Sequence, residues 1–443
     1  RTANSLSAGY RRSDGYIDNS DYRIFNALWQ TRLQTGETSH IDFLAGYNNK
    51  SYGANTFYSA TYPDQYDRTS EIASAINGSF GSRLKFVPQL YWSRHFDRFD
   101  LIRNTTTGRN HHRGDTYGAN LMFRYSSTLG DTHFGGELRQ EDILSSKLGK
   151  PLSTAHGIYT NYDERRQTNL VLEHTFNLRR FVFSAGVLGN YNTLQNDRFR
   201  FYPSASIAYR PVNYMKIFTT WSRSGRLPTF TDLYYTTETH TANETLQTET
   251  SESFDLGVNY RHEYFTLTLA GYLMKGRNMI DWVREQGQEK WSSWNHTEVD
   301  KRGLEIDLQA PLAFLSSSSS IKLNYARMFQ ECDSRGLESR YTLNYLRDKL
   351  TARLNHDVIS GLTASWNFRF QNRMGTYRKY EGKTDMGLQS YPPFATLDLR
   401  LNYLYKHFAY HLDFNNIFDK GYFDIGNVPQ AGFWLTGGIK YEF

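Results

Sequence analysis

Five aromatic rings fall within fifteen residues at Tyr52, Phe57, Tyr58, Tyr62 and Tyr66, with the amide of Asn55 among them. Rings at this density offer a rigid apolar platform for a large, flat ligand, since each fixes much contact area while freezing few torsions. The alternative is a long loop packing its own side chains. A second aromatic pair, Tyr234 and Tyr235, stands in DLYYTTETHTANET (232–245), and Trp282, Trp291 and Trp294 follow in DWVREQGQEKWSSW (281–294). All are candidates for contact with a substrate or partner, and bilayer anchoring is the expected role for at least two of the three tryptophans. His111 and His112 in RNHHRGD carry metal- and haem-ligating imidazoles, but with no supporting partner in view they read as a solvated loop pair. No H-E-x-x-H, G-x-S-x-G or P-loop occurs, and a Ser, His, Asp triad is not recognisable from abundance. The residues therefore point to binding and not to catalysis. The lone Cys332 excludes an intramolecular disulfide framework and a thiol-rich metal centre.

The elements that must carry these residues alternate apolar and polar positions, as strands do. In LTASWNFRF, Leu362, Ala364, Trp366, Phe368 and Phe370 oppose Thr363, Ser365, Asn367 and Arg369; in LDLRLNY, Leu397, Leu399, Leu401 and Tyr403 oppose Asp398, Arg400 and Asn402. The same period runs through 41–47, 183–191, 254–260 and 265–272, and through the final AGFWLTGGIKYEF, where Phe433, Leu435, Gly437, Ile439, Tyr441 and Phe443 share a face. Mean hydropathy is only -0.66 although aromatics make up 16% of the 443 residues, so the apolar mass resides in rings that tolerate an interface. No run approaches the roughly 18–20 apolar residues that a membrane-spanning helix needs. The net charge of +6 is too mild to imply nucleic acid.

Connection lengths decide between a soluble sheet and a membrane barrel. Short turns near 34–38, 81–83, 128–131, 177–180, 210–213, 261–263, 311–319, 356–361 and 405–407 alternate with long polar segments throughout. Ten long loops and nine short turns separate about twenty strands, which predicts an all-β, transmembrane antiparallel β-barrel with turns on one side and loops on the other. Tyr10, Tyr47, Phe80, Tyr125, Phe176, Tyr260, Phe370 and Tyr403 are expected in interface girdles, with the polar alternates lining a wet lumen.

Four ordered blocks carry a resemblance. GRLPTFTDLYY (225–235) and NETLQTETSESFDLGVNY (243–260) resemble the R-x-P-x-x-x-D-L-Y and N-x-x-L-x-x-E-x-S/T blocks of TonB-dependent outer-membrane receptors. NHTEVDKRGLEIDL (295–308) resembles that family's N-x-x-x-x-x-x-G-x-E strand, and LDFNNIFDKGYFDIGNVPQAGFWLTGGIKYEF (412–443) its terminal N-x-F-D-K-x-Y hairpin. The chain departs from the pattern at Gln430 to Phe433, where an Arg usually follows the Gly, and at Gln247 and Thr248, where Lys-Pro is common. Within the family, segments 46–71 and 278–299 are most similar to vitamin B12 (cobalamin) receptors of Bacteroidota.

The resemblance implies an outer-membrane transporter, not an enzyme, that imports a large scarce nutrient, cobalamin first and a siderophore or haem next. A barrel-embedded enzyme is the remaining alternative. It implies a barrel of about 22 strands, so residues 1–443 are expected to be barrel alone, with the N-terminal plug and first hairpin outside this sequence. The TonB complex would act through that plug, and a surface lipoprotein that binds substrate is a further expected partner. No cofactor is required, although the early loops of cobalamin receptors hold structural calcium, and Asp14, Asp18, Asp21, Asp64 and Asp67 fall in matching loops. Hard cations want six to eight oxygens, so converging carboxylates would be needed. The terminal aromatic Phe443 is expected to be read by the barrel-assembly machinery.

Overall fold

The computed structural model describes residues 1–193, 199–285, 287, 288, 290–332, 336–340 and 345–442. Phe443, on which the assembly-signal expectation rests, lies outside the described residues. A 23-stranded sheet forms the molecule. Twenty of its strands run in antiparallel succession from Thr2–Ser13 to Trp434–Tyr441, and the other three, Lys150–His156, His240–Thr241 and Leu337–Ser339, are short additions at the long-loop end. The alternation of loop lengths holds: Gln34 is joined to His40 by a tight turn, whereas Ser13 and Tyr22 are joined by an excursion. Gly361, at φ +80°, takes the left-handed conformation that the turn between Ile359 and Leu362 requires.

Register passes one face from strand to strand, because directly opposed residues point the same way. Ala8 faces Ala27, Ala27 faces Tyr47, and Tyr47 faces Ile72. At the far end of the sheet, Trp366 faces Leu399, Leu399 faces Phe414, and Phe414 faces Leu435. This face carries Leu6, Trp29, Leu90, Leu138, Leu256 and Ile439, each 47–79% exposed, which in a water-soluble sheet would leave a ring of apolar side chains in water. Rings edge the belt at the short-turn end: Phe80, Phe86, Phe123 and Phe134 lie 5.0–6.3 Å apart in series.

The opposite face is polar and knitted across strands. The Tyr91 hydroxyl donates to Glu137 at 2.6 Å, Asn169 donates to the same carboxylate at 2.9 Å, and Asn190 donates to Asn169 at 2.6 Å. Gly118 makes room for Tyr91, since a Cβ there would sit 2.6 Å from the hydroxyl oxygen. Among the described residues, Thr2–Ser13 pairs only with Tyr22–Gln34, and Trp434–Tyr441 only with Phe408–Asn415. The two margins nonetheless meet at the outer end, where Tyr16 Oη donates to the Pro429 carbonyl at 2.6 Å and Thr56 Oγ1 to the Asn427 carbonyl at 2.8 Å.

Several segments expected as irregular loops are folded. The region 275–290 continues the hairpin Thr266–Glu285 with Trp291–Pro311, and 373–391 contains the hairpin Thr376–Glu381 with Thr384–Ser390. A barrel strand needs only about 9–11 residues to cross the bilayer, so these strands of up to 21 residues project far above it.

Candidate functional site

The aromatic loop is latched to the barrel wall. Tyr52 ends the strand His40–Gly53, and its hydroxyl donates to Asp67 Oδ2 at 2.9 Å; Tyr58 donates to the same oxygen at 2.7 Å. Tyr58 also meets Phe57 and Phe99 edge-on, with centroids 4.9 and 5.1 Å away. Burial, reinforced by Asp67, raises both phenols, Tyr52 to about 12 and Tyr58 further. Tyr66 stacks under the guanidinium of Arg103 at 4.5 Å, and Asn55 ties the loop to its neighbour by donating to the Asp18 carbonyl at 2.7 Å. Tyr62 is exposed. Part of the platform therefore packs on itself, and Phe57 and Tyr62 remain free to touch a ligand.

Beneath Tyr58 the wall holds two carboxylates. Asp67 is 4% exposed, and its Oδ1, like that of Asp97, is buried without a protein donor. The two lie diagonally on adjacent strands, Asp67 opposite Phe99 and Asp97, two residues earlier on that strand, opposite Thr69. Burial, then the charge of Asp67, raises Asp97 to about 7, so below that pH a proton on Asp97 can be shared with Asp67. Counted from the short-turn ends, both residues lie beyond the span that crosses the bilayer. His112 joins this cluster as the register partner of Asp97, and its Nδ1 lies 2.7 Å from Ser145 Oγ. The expectation of a solvated histidine pair is overturned for His112: the strand Asn110–Ser127 begins before it, and burial lowers it to about 4.

Across the lumen, the motif residues act as a clamp. Thr229 caps the short helix Phe230–Tyr234 in a reciprocal capping box with Asp232. Arg226 holds Glu249 through two bonds of 2.6 and 2.7 Å and reaches Asp232 at 3.6 Å, while Glu249 accepts from the Ile280 amide at 2.6 Å. Leu233, Leu246 and Ile280 form a small buried core beneath, with Tyr234 packed against it. Tyr234 donates to Asp163 at 2.6 Å, away from the loop cluster. Tyr235 approaches that cluster: it lies within hydrogen-bonding reach of Asn110 and edge-on to His240 at 5.6 Å. Arg340 completes the bridge, 2.9 Å from His240 Nε2 and donating to the Tyr58 carbonyl at 2.9 Å. His240, Arg340, Phe99, Asn110 and Asp97 have no local sequence signal, because only register and loop contacts bring them together.

The tryptophans are not arranged as bilayer anchors. Trp282 is 6% exposed and packs on His240 at 5.1 Å, and Trp291 lies under Arg284 at 4.4 Å. Both stand near the tip of a projecting hairpin; Trp294, half-exposed, stands on the same hairpin. The five aspartates named for calcium do not converge either. Asp21 is held by Arg103 at 2.5 and 2.9 Å, Asp14 by Arg12 at 3.0 Å, and Asp67 by two tyrosines. Asp18 and Asp64 are exposed. Among the described residues, no three His, Cys, Asp or Glu side chains gather as a metal-holding group.

A cleft of about 250 Å³ opens between the aromatic loop and the hairpin 376–390, lined by Thr56, Ala60, Pro63, Tyr377, Tyr380 and Phe423 among others. Its charges are matched: Lys379 pairs with Glu381 at 2.8 Å, and the nearby Arg378 with Glu338 and Asp385, both at 2.8 Å. Asn427 braces its floor, accepting from the Tyr380 amide at 2.9 Å and donating to the Arg378 carbonyl at 2.8 Å.

No curated protein matches the sequence closely enough to name a relative. Among solved structures, the siderophore receptor PirA from Acinetobacter baumannii superposes with a TM-score of 0.78 at 12% identity, over 100% of this chain and 75% of that one. The FrpB iron transporter from Neisseria meningitidis (F3-3 variant) gives 0.77 at 14%, over 100% and 77%, and the copper transporter OprC gives 0.77 at 12%, over 99% and 76%. At such identities these likenesses speak for the fold alone. The family assignment rests on residues 3–417, which match the family described as "TonB dependent receptor-like, beta-barrel". The apolar belt has its solvent in the lipid of the outer membrane, and the chain belongs to the TonB-dependent receptor β-barrel family.

Proposed function

We propose that this barrel serves a transporter that captures cobalamin at its outer face and passes it inward with energy supplied through TonB. The observation that carries the substrate class is the cleft between the aromatic loop and the hairpin 376–390, walled by Tyr377, Tyr380 and Phe423, with the exposed Phe57 and Tyr62 on the same loop as its lining residues Thr56, Ala60 and Pro63. Rings and hydroxyls without unmatched charge suit a broad, amide-fringed, nearly neutral ligand, which a corrin is. A strongly anionic ligand would want free cations, and here Lys379 and Arg378 are already paired with carboxylates. At about 250 Å³ the cleft would grip one edge of such a ligand, the remainder lying over the lumen.

A ferric siderophore is the second reading, favoured by the likeness to proteins titled siderophore and ferric enterobactin receptors. The test is titration of the receptor, purified from outer membranes in detergent, with cyanocobalamin and with a ferric siderophore. Saturable micromolar or tighter binding of cobalamin, weakened by Phe57→Ala and Tyr380→Ala, is the expected result. Binding of the siderophore alone would replace the cargo and leave the family assignment untouched.

A further inference from the structure

Just beyond the apolar belt, the outward positions carry charges, and several cross-strand neighbours there are of opposite sign. Arg223 faces Glu252, Lys275 faces Asp300, Arg327 faces Asp348, and Arg94 faces Asp115. Two of these pairs are in contact, Arg94 with Asp115 at 2.7 Å and Arg327 with Asp348 at 3.6 Å. Acids oppose acids at Asp115, Asp142 and Glu164 and at Asp300 and Glu331, whereas on the first five strands bases oppose bases. Arg12 faces Arg23, and Arg68 faces Arg98. Ser51 is the register partner of both Arg23 and Arg68, so one ladder row reads Arg12, Arg23, Ser51, Arg68, Arg98.

Like charges directly opposed on a sheet destabilise it, and the row is only partly relieved. Asp14 pairs with Arg12, and Asp100 with Arg98. Among the described residues, no carboxylate lies in ion-pair range of Arg23 or Arg68, and both are exposed. Their place relative to the belt is informative. Arg12 is the next outward position after Tyr10, Arg23 the next after Phe25, and Arg68 lies two outward positions beyond Ile72. Tyr10, Phe25 and Ile72 are 63, 40 and 41% exposed members of the lipid-facing surface. The arginines therefore stand where hydrocarbon gives way to headgroups.

We propose that this row docks the phosphate groups of an outer-leaflet lipid. A phosphate between Arg23 and Arg68 takes two-pronged hydrogen bonds from guanidinium forks, which match its oxygens in geometry and charge. Ser51, set between the two arginines, supplies a hydroxyl donor. The acyl chains of the same lipid lie down along Tyr10, Phe25 and Ile72, so one molecule satisfies both the cationic row and the rings below it. Binding removes the mutual repulsion of the arginines and so stabilises these five strands.

The test uses the receptor purified from outer membranes in detergent, depleted of bound lipid and read by native mass spectrometry. Three probes are compared: a bis-phosphorylated acylated glucosamine lipid, the same lipid with both phosphates removed, and inorganic phosphate. The expected result is retention of the phosphorylated lipid, a loss of about tenfold in affinity on removing the phosphates, and a similar loss in Arg23→Gln/Arg68→Gln. Arg223→Gln, at a charge-paired position of the same rim, serves as control and keeps wild-type retention. Equal retention of the phosphorylated and dephosphorylated lipids overturns the proposal, a comparison that needs no variant to fold. So does unchanged lipid binding in the double variant, or displacement of the lipid by equimolar inorganic phosphate, which would make the row a small-anion site.

Discussion

The hydroxyl of Tyr58, on an extracellular loop, donates to Oδ2 of Asp67, on the barrel wall, at 2.7 Å. That bond fastens the aromatic loop over a carboxylate whose other oxygen is turned towards Asp97. A hydrogen bond to a charged group contributes about 1.5–3 kcal/mol. Tyr58→Phe keeps the ring against Phe99 and removes only the bond. Amide exchange in residues 54–65 is expected to quicken about tenfold or more, with the barrel strands unaffected. Unchanged protection would mean that packing on Phe57 and Phe99 alone holds the loop.

Asp97 carries a pH dependence of defined sign. Its carboxyl is raised to about 7, first by burial and then by Asp67. The other groups on this face are the hydroxyls of Tyr52 and Tyr58, His112 opposite Asp97, His95 two residues earlier, and Glu71 opposite His95. His112, lowered to about 4, stays neutral through this range. A folded-state value above the unfolded one means that the folded chain binds the proton more tightly. The stabilisation is full below about pH 4 and is lost as pH rises through about 7. Infrared spectra should show a protonated carboxyl band that disappears near pH 7 and is missing from Asp97→Asn. A band that persists in that variant would assign the proton elsewhere.

The Arg226–Glu249 clamp is structural. Glu249 is 7% exposed, and its partners are Arg226 and the Ile280 amide. Arg226→Ala leaves a buried carboxylate without its counter-ion, a change that costs roughly 3–5 kcal/mol where the charge is fully desolvated. Arg226 is itself half-exposed, so the lower part of that range applies. The expected outcome is loss of protease resistance between 229 and 248, while Arg226→Ala/Glu249→Gln recovers much of it. If the single variant is as resistant as the wild type, the small core of Leu233, Leu246 and Ile280 holds the segment unaided.

The belt was legible because its signal is local. Alternation in LTASWNFRF reports which residues share a face before any partner strand is known. Loop-length alternation was legible for the same reason, as turns and excursions are contiguous in the chain. The site was legible only in part. Tyr52 and Tyr58 were visible as a cluster of rings, but their fastening to Asp67 depends on a register partner fifteen residues away. Asp97 and His112 are brought together by ladder pairing alone. His112 and the tryptophans depart from expectation for one physical cause: strands that cross a bilayer need not stop at its surface. The polar segments 275–290 and 373–391 satisfy backbone groups by forming or extending hairpins. Of the aspartates named for calcium, Asp14 is paired with its near neighbour Arg12, and Asp21 with Arg103, which only the fold brings to it.

The lipid face predicts a depth-dependent penalty. Phe368 faces Leu397, and Leu399 faces Trp366, in the apolar rows of two adjacent strands. A cation placed there meets hydrocarbon, and Phe368→Arg or Leu399→Arg should each cost about 2–4 kcal/mol at the bilayer midplane, falling towards zero near the interfaces. The neighbouring luminal residues give an internal control, since Asn367 and Arg400 point the other way. Asn367→Arg adds the same charge one residue along the strand and should cost far less, because its side chain meets water. Equilibrium unfolding in lipid bilayers separates the two. Equal penalties at 367 and 368 would show that both faces meet the same solvent, an outcome that the barrel's single lipid surface does not allow.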